Sequence, residues 1–293
     1  MIKIGITGQD GFVGTHLYNT LGLFPEEFQR VDFQKEYFDD ATQLNDFVAQ
    51  CDVIIHLAAM NRHNDPQVIY DTNIGLVQKL IKALEVTGTS GHVLFSSSTQ
   101  EERDNLYGKS KKEGRELMMN WAEKAGGKFT GMIIPNVFGP FGHPNYNSVV
   151  ATFCHKLSHD ETPVIDADGD LKLIYVGELV SEILFAIRSN KGKPEVIVKH
   201  RSEIKVSQLL SLLESYKAQY QDSGVIPSIN NTFELNLFNT FRCYMDIASH
   251  FPVKFIEHTD PRGSFVEIIR LGVGGQVSFS TTVPGITRGN HYH

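Results

Sequence analysis

Over the first 140 positions two apolar patterns alternate. Ile2–Thr7, Val53–Leu57, Val93–Ser97 and Thr130–Ile134 are short runs of β-branched and aliphatic residues and read as buried strands, with Arg30–Phe33 a shorter one. Between them, Phe12–Leu23, Thr42–Gln50, Tyr70–Val86 and Lys109–Lys124 return apolar residues at helical intervals. Pro135 ends the last of these strands. Strands alternating with helices require right-handed crossovers. The expected fold is therefore α/β, a Rossmann-like, doubly wound parallel sheet.

The pattern then changes twice. Gly139–Asn147 reads as a loop. A helix (Val149–Leu157), a strand (Lys172–Val176) and helices over Gly177–Ser189 and Val206–Gln219 follow, a smaller mixed subdomain expected to cover a cofactor cleft. From about Met245, Phe255–Glu257, Ser264–Arg270 and Gln276–Ser280 alternate as strands do, separated by the turns Asp260–Gly263 and Gly272–Gly275. The expected division is residues 1–245, with a dinucleotide-binding core over about 1–138, and residues 246–293, the beginning of an all-β module that is unfinished at His293.

Composition narrows the classes. With 27 basic and 34 acidic residues the net charge is −7, which argues against a nucleic-acid groove or an anionic membrane surface as partner. No apolar run approaches the ~20 residues that span a bilayer, and the N-terminus reads as a strand rather than a signal peptide. Cys51, Cys154 and Cys243 are odd in number and far apart, so reduced thiols in a cytoplasmic protein are expected.

Two signatures carry chemistry. Gly8, Gly11 and Gly14 follow a strand and open a helix with Phe12 and Val13, the context in which a backbone turn approaches a dinucleotide pyrophosphate. Asp32, at the end of the second strand, is placed to bind adenosine ribose hydroxyls and favours NAD, whereas Arg30 and Lys35 could receive the 2′-phosphate of NADP. Leu57, Ala58 and Ala59 would let the chain pass under the nicotinamide ribose, and His56 before them reads as a core histidine. The second signature is Tyr107 and Lys111, one helical turn apart, preceded by Ser96-Ser97-Ser98. Tyr107 is the candidate proton donor to a carbonyl oxygen and Ser98 a hydrogen-bond partner of that oxygen. Lys111 is expected to lower the phenol's pKa and to hold the nicotinamide ribose. Asn136 is a candidate contact to nicotinamide or substrate. His291 and His293 point the same way in a strand and could begin a Zn²⁺ site, with further ligands required.

TGxxGxxG at Thr7–Gly14, HLAA at His56–Ala59, SSS at Ser96–Ser98, YxxxK at Tyr107–Lys111 and Pro135–Gly139 together resemble the extended short-chain dehydrogenase/reductases, the nucleotide-sugar epimerase/dehydratase family. Pro144–Cys154, Asp260–Phe265 and Pro284–His293 narrow the resemblance to bifunctional capsular-polysaccharide enzymes of the CapF type, which join a reductase domain to a C-terminal cupin. The resemblance implies NADPH-dependent reduction at C4 of a UDP-linked 4-keto-amino sugar in UDP-N-acetyl-L-fucosamine precursor synthesis, with NAD(H) the other cofactor to consider. It also implies a substrate contact at Asn147 and, where the cupin is complete, a zinc site that epimerises C3. The family's further Glu and His ligands are absent after His293, so that site is expected to be incomplete. Ile133 stands where related enzymes often carry Arg. Thr99-Gln100 replaces the Asp-Glu of dehydratases, which argues against dehydration. A C4-epimerase that recycles NAD and a non-catalytic dinucleotide sensor are the alternatives. A homodimer is expected, through the C-terminal strands or the helices of the large domain.

Overall fold

The computed structural model describes residues 1–287 and 289. His291 and His293, the candidate metal ligands, lie outside the described residues. Among those described, no group of three His, Cys, Asp or Glu side chains could hold a metal ion, and no helix is long and apolar enough to cross a membrane.

The chain forms two units, residues 1–148 with 170–203, and residues 149–169 with 204–293. In the first, β1 (Ile2–Thr7), α1 (Phe12–Leu21), β2 (Phe28–Val31), α2 (Ala41–Gln50), β3 (Val53–His56), α3 (Pro66–Thr87), β4 (His92–Ser98), α4 (Leu106–Ala125) and β5 (Lys128–Ile134) follow in order. β6 (Asn136–Phe138) comes next in the chain, ahead of α5 (Val149–Ser158), which belongs to the second unit. β7 (Asp170–Tyr175), α6 (Val176–Ser189) and β8 (Lys193–Ile197) return to the first. The main sheet has the order β2-β1-β3-β4-β5-β8, all parallel, as expected. β6 and β7 pair in parallel apart from it.

The two-residue repeat of a strand explains the two cores. Ile4, Ile6, Val53, Ile55, Leu94 and Met132 face one layer, with Leu17 and Leu21 of α1 and Leu179, Ile183 and Ile187 of α6. Ile54, Val93, Phe95 and Phe129 face the other, with Phe47 of α2, Val77 and Leu80 of α3, and Met118 and Trp121 of α4. Strands covered on both faces are apolar throughout, and for that reason β3 reads as an unbroken run. The chain leaves β1 for β2 on one side and for β3 on the other, so strand order reverses at the carboxyl ends of β1 and β3.

In the second unit α5, β9 (Ser202–Lys205, which spans the boundary), α7 (Val206–Tyr216), β10 (Val225–Ile226), α8 (Thr232–Arg242) and α9 (Ile247–His250) precede β11 (Glu257–Asp260), β12 (Gly263–Leu271) and β13 (Gln276–Ser280). Phe153, Leu157, Leu209, Leu213, Leu237 and Phe241 are buried on its helices. β12 runs antiparallel to β11 and β13, matching the predicted strands to within a few residues.

Candidate active site

The glycine-rich turn sits at the reversal of strand order. Gly8 has φ +79°, and a Cβ there would lie 2.9 Å from the Ala58 amide nitrogen, so the turn passes directly over the Leu57–Ala59 segment. The Gly11 N–H donates to the Gly8 carbonyl at 3.0 Å. A Cβ at Gly14 would lie 2.1 Å from that same oxygen, so only hydrogen fits. Helix α1 starts at Phe12 with no side-chain cap on its first N–H groups. An uncapped helix start behind a tight glycine turn is a cradle for a dinucleotide pyrophosphate, and the residues present fit that group. Phe12 stacks edge-on against His16, while Val13 and Leu57 pack on the core below.

Asp32 follows β2 and is exposed. Its Oδ1 accepts the Tyr18 hydroxyl at 2.7 Å, and that bond, with burial and the carboxylate charge behind it, raises the Tyr18 phenol's pKa. Arg30 lies 4.2 Å over the Tyr18 ring and donates to the Tyr18 carbonyl at 3.3 Å. Lys35 pairs with Glu36 at 3.8 Å on the surface.

Asn105 caps α4 by accepting from the Gly108 N–H at 2.7 Å, which places Tyr107 in the first turn and Lys111 one turn on. Lys111 is buried and donates to the Ser96 carbonyl at 2.9 Å, tying the helix to the end of β4. Burial pushes its ammonium down to about 8, opposed by the Glu101 carboxylate. Its Nζ lies 5.9 Å from the Tyr107 ring centroid. The expectation that Lys111 lowers the phenol's pKa is not met: Tyr107 is pushed up to about 12, by burial first and by Tyr146 second. The physical reason is burial, which disfavours the charged phenolate and outweighs the pull of an ammonium 5.9 Å from the ring centroid. Ser98 Oγ accepts from the Gln100 N–H at 3.2 Å at the other side of this strand end. His56 is a core histidine, as read. It is buried, shares a 2.7 Å hydrogen bond with Thr7 Oγ1, and is held neutral with its pKa near 3 by burial and then by Lys111.

Asn136 begins β6 and is exposed, and Asn147 lies in the turn before α5. That turn is anchored by Arg62, whose Nη1 donates to the carbonyls of Asn145 at 3.0 Å and Tyr146 at 2.6 Å. Sequence reading missed Arg62 and also missed Asn73, a buried amide on α3. Asn73 accepts from the Met60 N–H at 2.7 Å and donates to the Met60 carbonyl at 3.1 Å and to Ser110 Oγ at 3.0 Å. Ser110 in turn donates to the Tyr107 carbonyl. The loop after Ala59 and the first turn of α4 are thereby linked through one side chain. The available signal was a polar residue in the buried stripe Ile69, Asn73, Ile74, Val77, Leu80. Asn73→Ala removes three hydrogen bonds, two to the half-buried Met60 backbone and one to buried Ser110, and is expected to cost about 2–3 kcal/mol in urea unfolding.

The family described as "NAD dependent epimerase/dehydratase family" matches residues 4–198, and the "Polysaccharide biosynthesis C-terminal domain" matches residues 258–293. The chain is 31% identical over 298 residues to UDP-2-acetamido-2,6-beta-L-arabino-hexul-4-ose reductase of Pseudomonas aeruginosa, covering 100% of this chain and 78% of that protein. It is 25% identical over 273 residues to N-acetyl-alpha-D-glucosaminyl-diphospho-ditrans,octacis-undecaprenol 4-epimerase of Escherichia coli O157:H7, covering 83% and 79%. Among solved structures, the capsular polysaccharide assembling protein CapF of Staphylococcus aureus superposes with a TM-score of 0.83 at 31% identity, covering 100% of this chain and 78% of that one.

Proposed function

Because the chain belongs to the NAD-dependent epimerase/dehydratase family, we propose that it reduces the C4 keto group of a UDP-linked 2-acetamido-2,6-dideoxy-hexos-4-ulose, in the making of capsular or O-antigen sugar precursors. The observation that carries this reading is the Tyr107/Lys111 pair on the first turns of α4, anchored to the Ser96–Ser98 strand end in the unit that also holds the glycine cradle. A reduced nicotinamide supplies hydride when bound. Gly8, Gly11 and Gly14, with Phe12 and Val13, would hold its pyrophosphate, Asp32 its adenosine ribose, and Leu57–Ala59, Lys111 and Asn136 its nicotinamide half. Tyr107, protonated at neutral pH, gives its proton to the keto oxygen as carbon gains hydride, and the product is the alcohol. Ser98 hydrogen-bonds the same oxygen, while Asn136 and Asn147 contact the sugar nucleotide.

The likeness to capsular enzymes favours NADPH as donor. NADH is the second reading, favoured by the Asp32 carboxylate and by Arg30 being engaged on Tyr18. Residues 246–293 are read as the leading part of a cupin, supported by the match over residues 258–293. We read the enzyme as a cytoplasmic homodimer.

The test incubates the protein with the UDP-4-keto sugar and either NADPH or NADH and follows nicotinamide absorbance. Net, stoichiometric loss with appearance of the C4 alcohol is expected. Interconversion of C4 epimers with no net loss of reduced nicotinamide would replace the reductase by an epimerase.

A further inference from the structure

Behind the Tyr107/Lys111 pair lies a buried ion pair that the proposed reaction does not use. Arg115, one turn beyond Lys111 on α4, grips Glu101 with two bonds, Nε to Oε1 at 2.9 Å and Nη2 to Oε2 at 2.8 Å. The two side chains are 11% and 6% exposed. Ser97 Oγ donates to the same Oε1. The guanidinium reaches Glu101 across Gly131 of β5, where a Cβ would lie 2.6 Å from Arg115 Cδ. Its outer nitrogen meets the half-exposed Glu195 at 3.4 Å.

The turn that carries Glu101 is pressed onto the helix that carries Tyr107 and Lys111, since a Cβ at Gly108 would lie 2.0 Å from the Gln100 carbonyl. The groups that act on Lys111 can be named from each packed element: neutral His56 from β3, the Ser96 carbonyl and Phe95 from β4, Tyr107 from its own helix, and Glu101 from the turn. Glu101 is the carboxylate in this set. A buried ion pair adds little net stability compared with apolar residues of similar size. Ser97, which donates to Glu101, adjoins Ser96, whose carbonyl takes the Lys111 ammonium, and this shared strand end gives the carboxylate a different use.

We propose that Glu101 is a positioning residue for the reduction: held by Arg115 and Ser97, it fixes the Ser97–Ser98 strand end and supplies the counter-charge that keeps buried Lys111 an ammonium. The inference rests on the reductase reading for its catalytic consequence, while the charge on Lys111 can be read without turnover.

Glu101→Gln removes the counter-charge, so Lys111 loses its proton at lower pH. The alkaline limb of kcat/KM, and that of NADPH affinity followed by nucleotide fluorescence, should both move down by about one pH unit, a tenfold change in protonation constant. Glu101→Gln also leaves a buried guanidinium short of its partner and could unfold the protein. Glu101→Gln/Arg115→Met removes both charges, leaves no unpaired guanidinium, and should show a downward shift of the same sign but smaller, because the Arg115 cation that opposed the carboxylate is gone with it. Arg115→Met alone keeps the carboxylate and should not lower the limb. Affinity limbs of Glu101→Gln and the double variant that coincide with wild type would overturn the proposal. A wild-type protein inert toward the keto sugar would sink the reductase reading instead and leave the affinity measurement standing.

Discussion

Tyr107→Phe is expected to lower kcat for keto-sugar reduction by roughly 10³-fold, the size of a lost general acid, and to leave dinucleotide affinity within about threefold. The expectation follows from what the hydroxyl does and what the ring does. Burial and then Tyr146 push the phenol up to about 12, so at neutral pH it is a filled proton donor rather than a phenolate. Its ring lies against the Lys111 ammonium, and the first turn of α4 is fixed through Asn105 and through Ser110 on the Tyr107 carbonyl. Phenylalanine retains the ring and every one of those backbone bonds. Single-turnover kinetics with saturating reduced nicotinamide isolates the chemical step, and turnover within tenfold of wild type would remove Tyr107 from the mechanism. The pH profile carries a second expectation. A donor with a pKa near 12 stays loaded throughout the accessible range, so an alkaline loss of rate below pH 9 belongs to Lys111, pushed down to about 8, and should persist in any residual activity of Tyr107→Phe.

The parts of this site legible in sequence are those whose spacing is local. Gly8, Gly11 and Gly14 lie within one turn, and Tyr107 and Lys111 within one helical repeat, so a linear pattern contains their geometry. The parallel sheet was legible for a related reason: strands covered on both faces, such as β3 with Val53, Ile54 and Ile55 in succession, lack the alternation of polar and apolar residues. What spacing does not contain is burial and partnership across elements. The elements packed around Tyr107 bury its phenol, so the sign of its shift differs from the expectation. Asn73 is hidden in a helical apolar stripe, and Glu101 meets Arg115 only because a turn folds beneath α4. Boundaries slipped where caps decide them. Helix α4 begins at Leu106 behind the Asn105 cap instead of at Lys109, and α3 begins at Pro66 behind Asp65. β8, an edge strand that opens Lys193-Pro194-Glu195, has too few apolar residues to announce itself.

Gly14→Ala is expected to weaken dinucleotide binding by at least about a hundredfold, because the added methyl has no direction in which to move. Its Cβ would stand 2.1 Å from the Gly8 carbonyl oxygen, 2.7 Å from Gln9 Cα and 2.8 Å from the Gln9 carbonyl, all of them backbone. The Gly8 oxygen is already fixed by the Gly11 N–H at 3.0 Å, and Gly8 itself is wedged at φ +79° against the Ala58 backbone. Relief therefore requires the whole turn to lift away from the start of α1, the geometry that would present its N–H groups to a pyrophosphate. Gly11→Ala is the internal control: its Cβ would come to 3.2 Å of the same oxygen, a contact relieved by a few tenths of an ångström, so its loss of affinity should be several-fold at most. Isothermal titration with NADPH and with NADH, beside thermal melts of both variants, separates a damaged cradle from a damaged fold. If Gly14→Ala bound either dinucleotide as tightly as Gly11→Ala does, the pyrophosphate would have to lie elsewhere, and the catalytic placement of Tyr107 and Lys111 would lose its reference point.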